Sequence, residues 1–154
     1  MRKIVFALPV FFFIMVAACN NEADTKTGNS QTGKADSLEK EVLAGHDVAM
    51  PKSMKIPALQ KETKLLIDSI SKLPAKAREA AAPYKAKLES LLRDLSYADM
   101  AMNKWMDEFK FDSAKDNIEE RIKYLTEEKD KVEKVKEAVL GSLSEADSLL
   151  KAKF

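Results

Sequence analysis

The chain has 154 residues, with 26 Lys and Arg against 25 Asp and Glu, one His and one Cys. This balance leaves no basic face for a phosphate backbone, so nucleic acid is not an expected partner. A single cysteine rules out an intramolecular disulfide in any compartment.

Arg2 and Lys3 form a short positive region at the start. Residues 4–16 are almost wholly apolar, a run too short to span a bilayer stably, and Val16-Ala17-Ala18 then lead to Cys19. Small residues directly before a cysteine resemble the bacterial lipobox. The resemblance implies a lipoprotein signal peptide over 1–18, cleavage before Cys19, and acylation of Cys19 with palmitate or similar chains. Several acyl chains anchor firmly where one does not, so the membrane is the first expected partner. Asn20 follows the cysteine in place of Asp. By resemblance to the sorting rule of many Gram-negative lipoproteins, that implies the outer membrane, with the protein facing the periplasm. Glu22 and Asp24 are an acidic hint of surface export. Loss of residues 1–18 removes two basic groups and leaves 24 against 25, a net charge near −1.

Residues 19–35 are polar and rich in Asn, Thr, Gly and Ser, without a large aliphatic or aromatic side chain. Such a segment cannot offset its ordering entropy by burial, so a flexible tether is expected. From residue 36 to 154 the pattern changes. Apolar residues recur every three or four positions, and no strand pattern is present.

The first predicted helix runs from Asp36 to Leu73, capped by Asp36 or Ser37. Its stripe is Leu38, Val42, Ala49, Ile56, Leu59, Leu66, Ile70 and Leu73. Pro51 and Pro57 each remove a helical donor, which predicts a kink or break over 47–57. Leu73-Pro74-Ala75 marks a turn, with the AREAAAP stretch as a short helical extension. The second predicted helix carries Tyr84, Leu88, Leu91, Leu95, Ala98, Met102, Trp105, Met106 and Phe109 on one face. Residues 111–114 form the next turn, with Asp112 or Ser113 as cap of the third helix. That helix carries Ile118, Ile122, Leu125, Val132, Val139, Leu143 and Leu150, with Lys129 and Lys136 snorkelling in the same stripe. The Lys/Glu-rich run YLTEEKDKVEKVKE reads as its solvated face, with pairs such as Glu127–Lys131. The expected fold is all-α, an antiparallel up-down-up three-helix bundle with coiled-coil-like packing and a first helix kinked at Pro51/Pro57. A hairpin that completes its core as a homodimer through a helical seam is the alternative.

Motifs for catalysis are largely missing. The chain has no GxSxG, P-loop, HExxH or CxxCH, and its carboxylates sit in sequential pairs on different sides of a helix. The exception is GHDVAMPKSM at 45–54. If the first two helices form a hairpin, His46 falls opposite Trp105 and Met106, and Met50 opposite Met102. Met100 points away, and Met54 sits at the edge. Imidazole with thioethers is a soft donor set that suits copper(I), and one His with one Met can ligate haem b. Candidate ligands are therefore His46, Met50, Met102 and Met106. Asp47 and Trp105 would support them from behind. The competing reading is packing, since methionine fills the gaps that a proline kink leaves.

The runs LEKEVLAGHDVAMPKSMKI, ADMAMNKWMDEFK and YLTEEKDKVEKVKEAVLGSLSEADSLL resemble a group of small bacterial lipoproteins, some of them called viral A-type inclusion proteins. The resemblance covers most of 36–150. It implies a charged helical domain and carries no catalytic residue. The expected function is a non-enzymatic, lipid-anchored binding or scaffold module of the cell envelope. A copper(I) or haem binding protein is the second expectation, and a helical envelope-stress chaperone the third.

Overall fold

The computed structural model describes residues 22–151, with side chains from residue 30 onward. Residues 1–18, read above as a signal peptide, and Cys19 lie outside the described residues. The described residues are all-α, in five helical segments: α1 Glu22–Ser53, α2 Ile56–Ser71, α3 Ala75–Ala80, α4 Ala82–Glu108 and α5 Ile118–Lys151. None of these helices is long and apolar enough to cross a membrane.

Directions follow from the pairs that meet. Glu39 meets Arg121, Glu41 meets Lys129, and Gly45 meets Val132, so α1 and α5 run the same way. His46 meets Trp105 and Gln60 meets Ser96, so α4 returns along α1 and then α2. Trp105 meets Glu128 and Tyr84 meets Leu149, which sets α5 antiparallel to α4.

The core repeats every seven residues. In the first arm Ala35, Val42, Ala49, Ile56, Thr63 and Ile70 are all buried at that spacing. In α4 the buried positions alternate by three and four through Leu88, Leu91, Leu95, Ala98, Met102 and Trp105. In α5 they do the same from Arg121 to Ala146. This is the spacing that keeps one seam facing its neighbours along a long helix. Full burial of each leucine on the α4 seam contributes roughly 1.5–3 kcal/mol.

The first predicted helix is divided, but not at Pro51. Pro51 lies inside α1 on its exposed side, and the helix passes through it. The break falls at Met54-Lys55, just ahead of Pro57 in the first turn of α2. Pro57 has no N–H for the Ser53 carbonyl, so the ladder stops there and restarts. Ile56 keeps the seven-residue phase, so the seam continues across the break. The AREAAAP stretch supplies α3, with Pro74 as its extended N-cap.

Three further expectations change. Helical backbone extends through residues 22–35, read above as a flexible tether, and Ala35 already packs in the core. Asp36 and Ser37 are therefore helix interior, and the Ser37 hydroxyl donates to Glu41 at 3.2 Å. The continuous turns of α1 supply the donors and acceptors that a cap would have replaced. The cap of α5 is Asn117, whose Oδ1 accepts from the Glu119 and Glu120 amides at 3.1 and 3.2 Å. Asp112 instead pairs with Lys115 in the turn.

Gly45 is buried where α1 packs tightly on α5. A Cβ there would sit 2.9 Å from Cγ1 and 3.4 Å from Cγ2 of Val132, a stiff branched side chain that is itself buried. Gly141, exposed on α5, has open space in the same position. Thermal melts of two alanine variants separate helix propensity from packing. Gly141→Ala gains about 0.5–1 kcal/mol, the ordinary helical benefit. Gly45→Ala loses about 1–3 kcal/mol to overpacking, and Val132→Ala in the same chain returns part of that loss.

Candidate functional site

His46 and Met50 lie one turn apart on α1, on the side that faces α4. The His46 ring stands 5.7 Å from the Trp105 ring, tilted by 33°. This is the juxtaposition expected from the hairpin register. Met102 is buried in the core, and Met50 and Met106 are half-buried against it. Met54 and Met100, at 73% and 59% exposure, stand outside the group.

The imidazole is oriented by its neighbour in sequence. Nδ1 of His46 lies 3.0 Å from Oδ1 of Asp47. A carboxylate accepts, so in the neutral imidazole this contact places the proton on Nδ1 and leaves Nε2 its lone pair. Beside Met50, the Ser53 hydroxyl donates to the Met50 carbonyl at 2.9 Å and lies 3.7 Å from the Met50 sulfur.

Trp105 is the centre of a rigid cluster. Its ring stacks on Phe109 at 5.0 Å, and Phe109 stacks on Tyr124 at 6.2 Å. Its Nε1–H donates to Glu128 at 3.0 Å. Glu128 is only 2% exposed, and its second oxygen accepts from Lys131 at 2.7 Å. That bond holds the Lys131 ammonium above its usual range. Arg121 closes the far end. It is buried, donates to Glu39 at 2.8 Å and to the Ser113 carbonyl at 2.9 Å, and lies 6.0 Å from the Tyr124 ring. No buried side-chain polar atom lacks a partner among the described residues.

Glu128 corrects the reading of YLTEEKDKVEKVKE as solvated. Glu127 does not form the expected pair with Lys131; the buried Glu128 takes that lysine. The sequence did hold a signal. Arg121, Glu128, Val135 and Ser142 fall at one phase of the seven-residue repeat, three or four positions from Leu125, Val132 and Val139. A charged side chain at a seam position is buried only with a partner: Arg121 finds acceptors in Glu39 and the Ser113 carbonyl, and Glu128 a donor in Trp105. Lys129 and Lys136 behave more nearly as expected, each half-buried along its stem with its ammonium on a carboxylate, Glu41 and Glu133 respectively.

Among the described residues, no three His, Cys, Asp or Glu side chains come together as a metal-holding group. Any ion at His46 would therefore draw on thioethers. A second feature lies at the break. A groove of about 1040 Å³ opens between α2 and the last turns of α5. Met54, Ala58 and Leu59 form one wall, and Leu140, Leu143 and Leu150 the other. Lys52, Lys55 and Lys151 line it as well, together with Glu62 and Asp147.

Two expectations follow for the charged pairs. Chemical denaturation of Glu128→Leu shows a loss of about 1–3 kcal/mol, because the Trp105 N–H is left buried without an acceptor. Glu128→Gln keeps an acceptor and loses less. In a chain that already carries Trp105→Phe, the Glu128→Leu change costs much less, since no indole N–H remains to be satisfied. The second expectation concerns acid. Lys129 and Ser37 hold the Glu41 carboxyl below its usual range, chiefly through the Lys129 hydrogen bond. A depressed folded-state pKa adds stability above the usual carboxyl pKa, lost as pH falls through the depressed value. Stability measured along a descending pH series should therefore fall less steeply in Glu41→Gln.

No family model matches the chain, and no match came from the curated proteins or the solved structures.

Proposed function

We propose that this chain is a lipid-anchored protein of the cell envelope that works by binding, without a reaction of its own. Cys19 is the proposed anchor, the outer membrane its proposed location, and the periplasm the compartment the helices face. We read α1 and α2 as one bent arm, so that α4 and α5 complete an antiparallel bundle of three arms.

The observation that carries the reading is the groove between α2 and α5. α2 and α5 point the same way and both lie on α4, yet the break at Met54-Lys55 lets them part. A slot between two helices, lined by leucines and edged by charged and hydroxyl side chains, has the form that accepts a third amphipathic helix. Lys151 and Asp147 neutralise each other, and of the lining charges in no ion pair among the described residues Lys52 and Lys55 outnumber Glu62, so the slot favours an acidic end on the incoming helix. The proposed occupant is an amphipathic helical segment of a protein partner, apolar on one face and acidic at one end.

A photo-crosslinking residue placed at Met54 or at Leu143 tests this in cells. Both positions should give the same discrete adduct, and Leu143→Lys should abolish it from position 54. The same probe at Leu65, an exposed leucine on α2 away from the slot, should give none. A ladder of unrelated adducts would instead mark a chaperone, and equal labelling from all three positions would end the proposal.

A further inference from the structure

We propose that His46, Met50, Met102 and Met106 form a binding site for copper(I) against the face of Trp105. The inference goes beyond the groove and does not depend on it. Three observations carry it.

The first is the imidazole. Asp47 holds Nδ1 at 3.0 Å and so leaves Nε2 as the free donor. A carboxylate on the far nitrogen of a histidine fixes its tautomer and raises the basicity of the ligating nitrogen. Asp47 itself is 75% exposed, so the contact reaches the imidazole from the solvent side of α1.

The second is the kind and placement of the sulfurs. His46 and Met50 form one row on α1, and Met102 and Met106 form another on α4. Trp105, which lies between Met102 and Met106 in sequence, meets the His46 ring across the interface. Met50 and Met106 are half-buried, so the rows are within reach of solvent at their edge. The Ser53 hydroxyl is directed mainly to the Met50 carbonyl, which leaves the thioether sulfur a lone pair. One imidazole with thioethers is a soft set, suited to a soft ion and poorly matched to calcium or magnesium.

The third is the indole. Trp105 is held in place by Glu128 and Phe109. A cation is attracted to an indole face, most strongly where water is scarce. The fixed ring therefore serves as a platform for the ion. Binding is a simple association and requires no redox step.

Trp105 is the only tryptophan, so its emission reports on this site alone. The test uses the full chain in detergent, with Cys19→Ser in every sample so that no thiol takes part. Copper(I) is supplied without oxygen, in competition with a chromophoric chelator. The chain should withdraw one copper per molecule, and Trp105 emission should fall in step. His46→Ala and Met106→Leu should each abolish the competition, and the second is a volume-conserving change that keeps the fold. Asp47→Asn should weaken binding about tenfold or more. Met100→Leu, on an exposed side chain outside the group, should change nothing. The inference is overturned if the chelator keeps all the copper. It is overturned equally if Met106→Leu binds as the parent does, or if Met100→Leu loses as much as His46→Ala.

Discussion

The close approach of α1 to α5 at Gly45 and Val132 sets much of what surrounds it. A residue without a side chain lets one helix lie against a branched valine of the other. Once that contact is made, the orientation of α1 is fixed about its own axis. His46, the next residue, is turned toward α4 and meets Trp105. Met50 follows one turn later on the same side. Val42 and Ala49, placed to either side of the contact, complete the buried row on α1. The missing methyl group thus acts with the buried row and the Glu39–Arg121 and Glu41–Lys129 pairs to keep one face of α1 on α5 and the neighbouring face on the aromatic rings of α4.

Polar residues complete that arrangement. Arg121, Glu128 and Ser142 occupy seam positions that an ordinary coiled coil would fill with apolar side chains. Each has a partner of its own. Ser142 returns its hydroxyl to the Val139 carbonyl, while Arg121 and Glu128 reach across to other elements. A shift of α5 by one turn would bury the same charges away from Glu39 and Trp105, at the cost of unpaired ionic groups. The charged seam therefore selects one register among several that the aliphatic residues alone would accept.

Much of this was legible from the residues. The helical class, most of the apolar stripes, the break between Pro51 and Pro57 and the pairing of His46 with Trp105 follow from periodicity and the reach of short turns; Leu73, read as part of the first stripe, is exposed, and the seam passes through Thr63 instead. The position of the break was not legible, because both prolines carry the same propensity and both are exposed. Pro51 lies on the solvent side of a helix that packing holds together, whereas Pro57 serves as a start. Glu128 was missed because composition placed it in a charged run, where only the seven-residue phase marks it as different. The cap of α5 was missed because the turn is longer than expected, and Asn117 outcompetes Asp112 by lying directly before Ile118.

The pairing of α1 with α5 has a further consequence, for the order in which the chain can organise itself. α2 and α4 are neighbours along the chain and can meet by closing a short loop. Glu39 and Arg121, by contrast, are 82 residues apart. Contacts that span such distances carry the greater closure entropy and tend to form late. The earliest described helix to leave the ribosome thus finds its mate in the last one. Until the chain is complete, the row from Ala35 to Ala49 has no α5 to cover it. A chain delivered end-first to any compartment travels with that apolar row unsheltered, and reaches its final packing only after its last helix arrives.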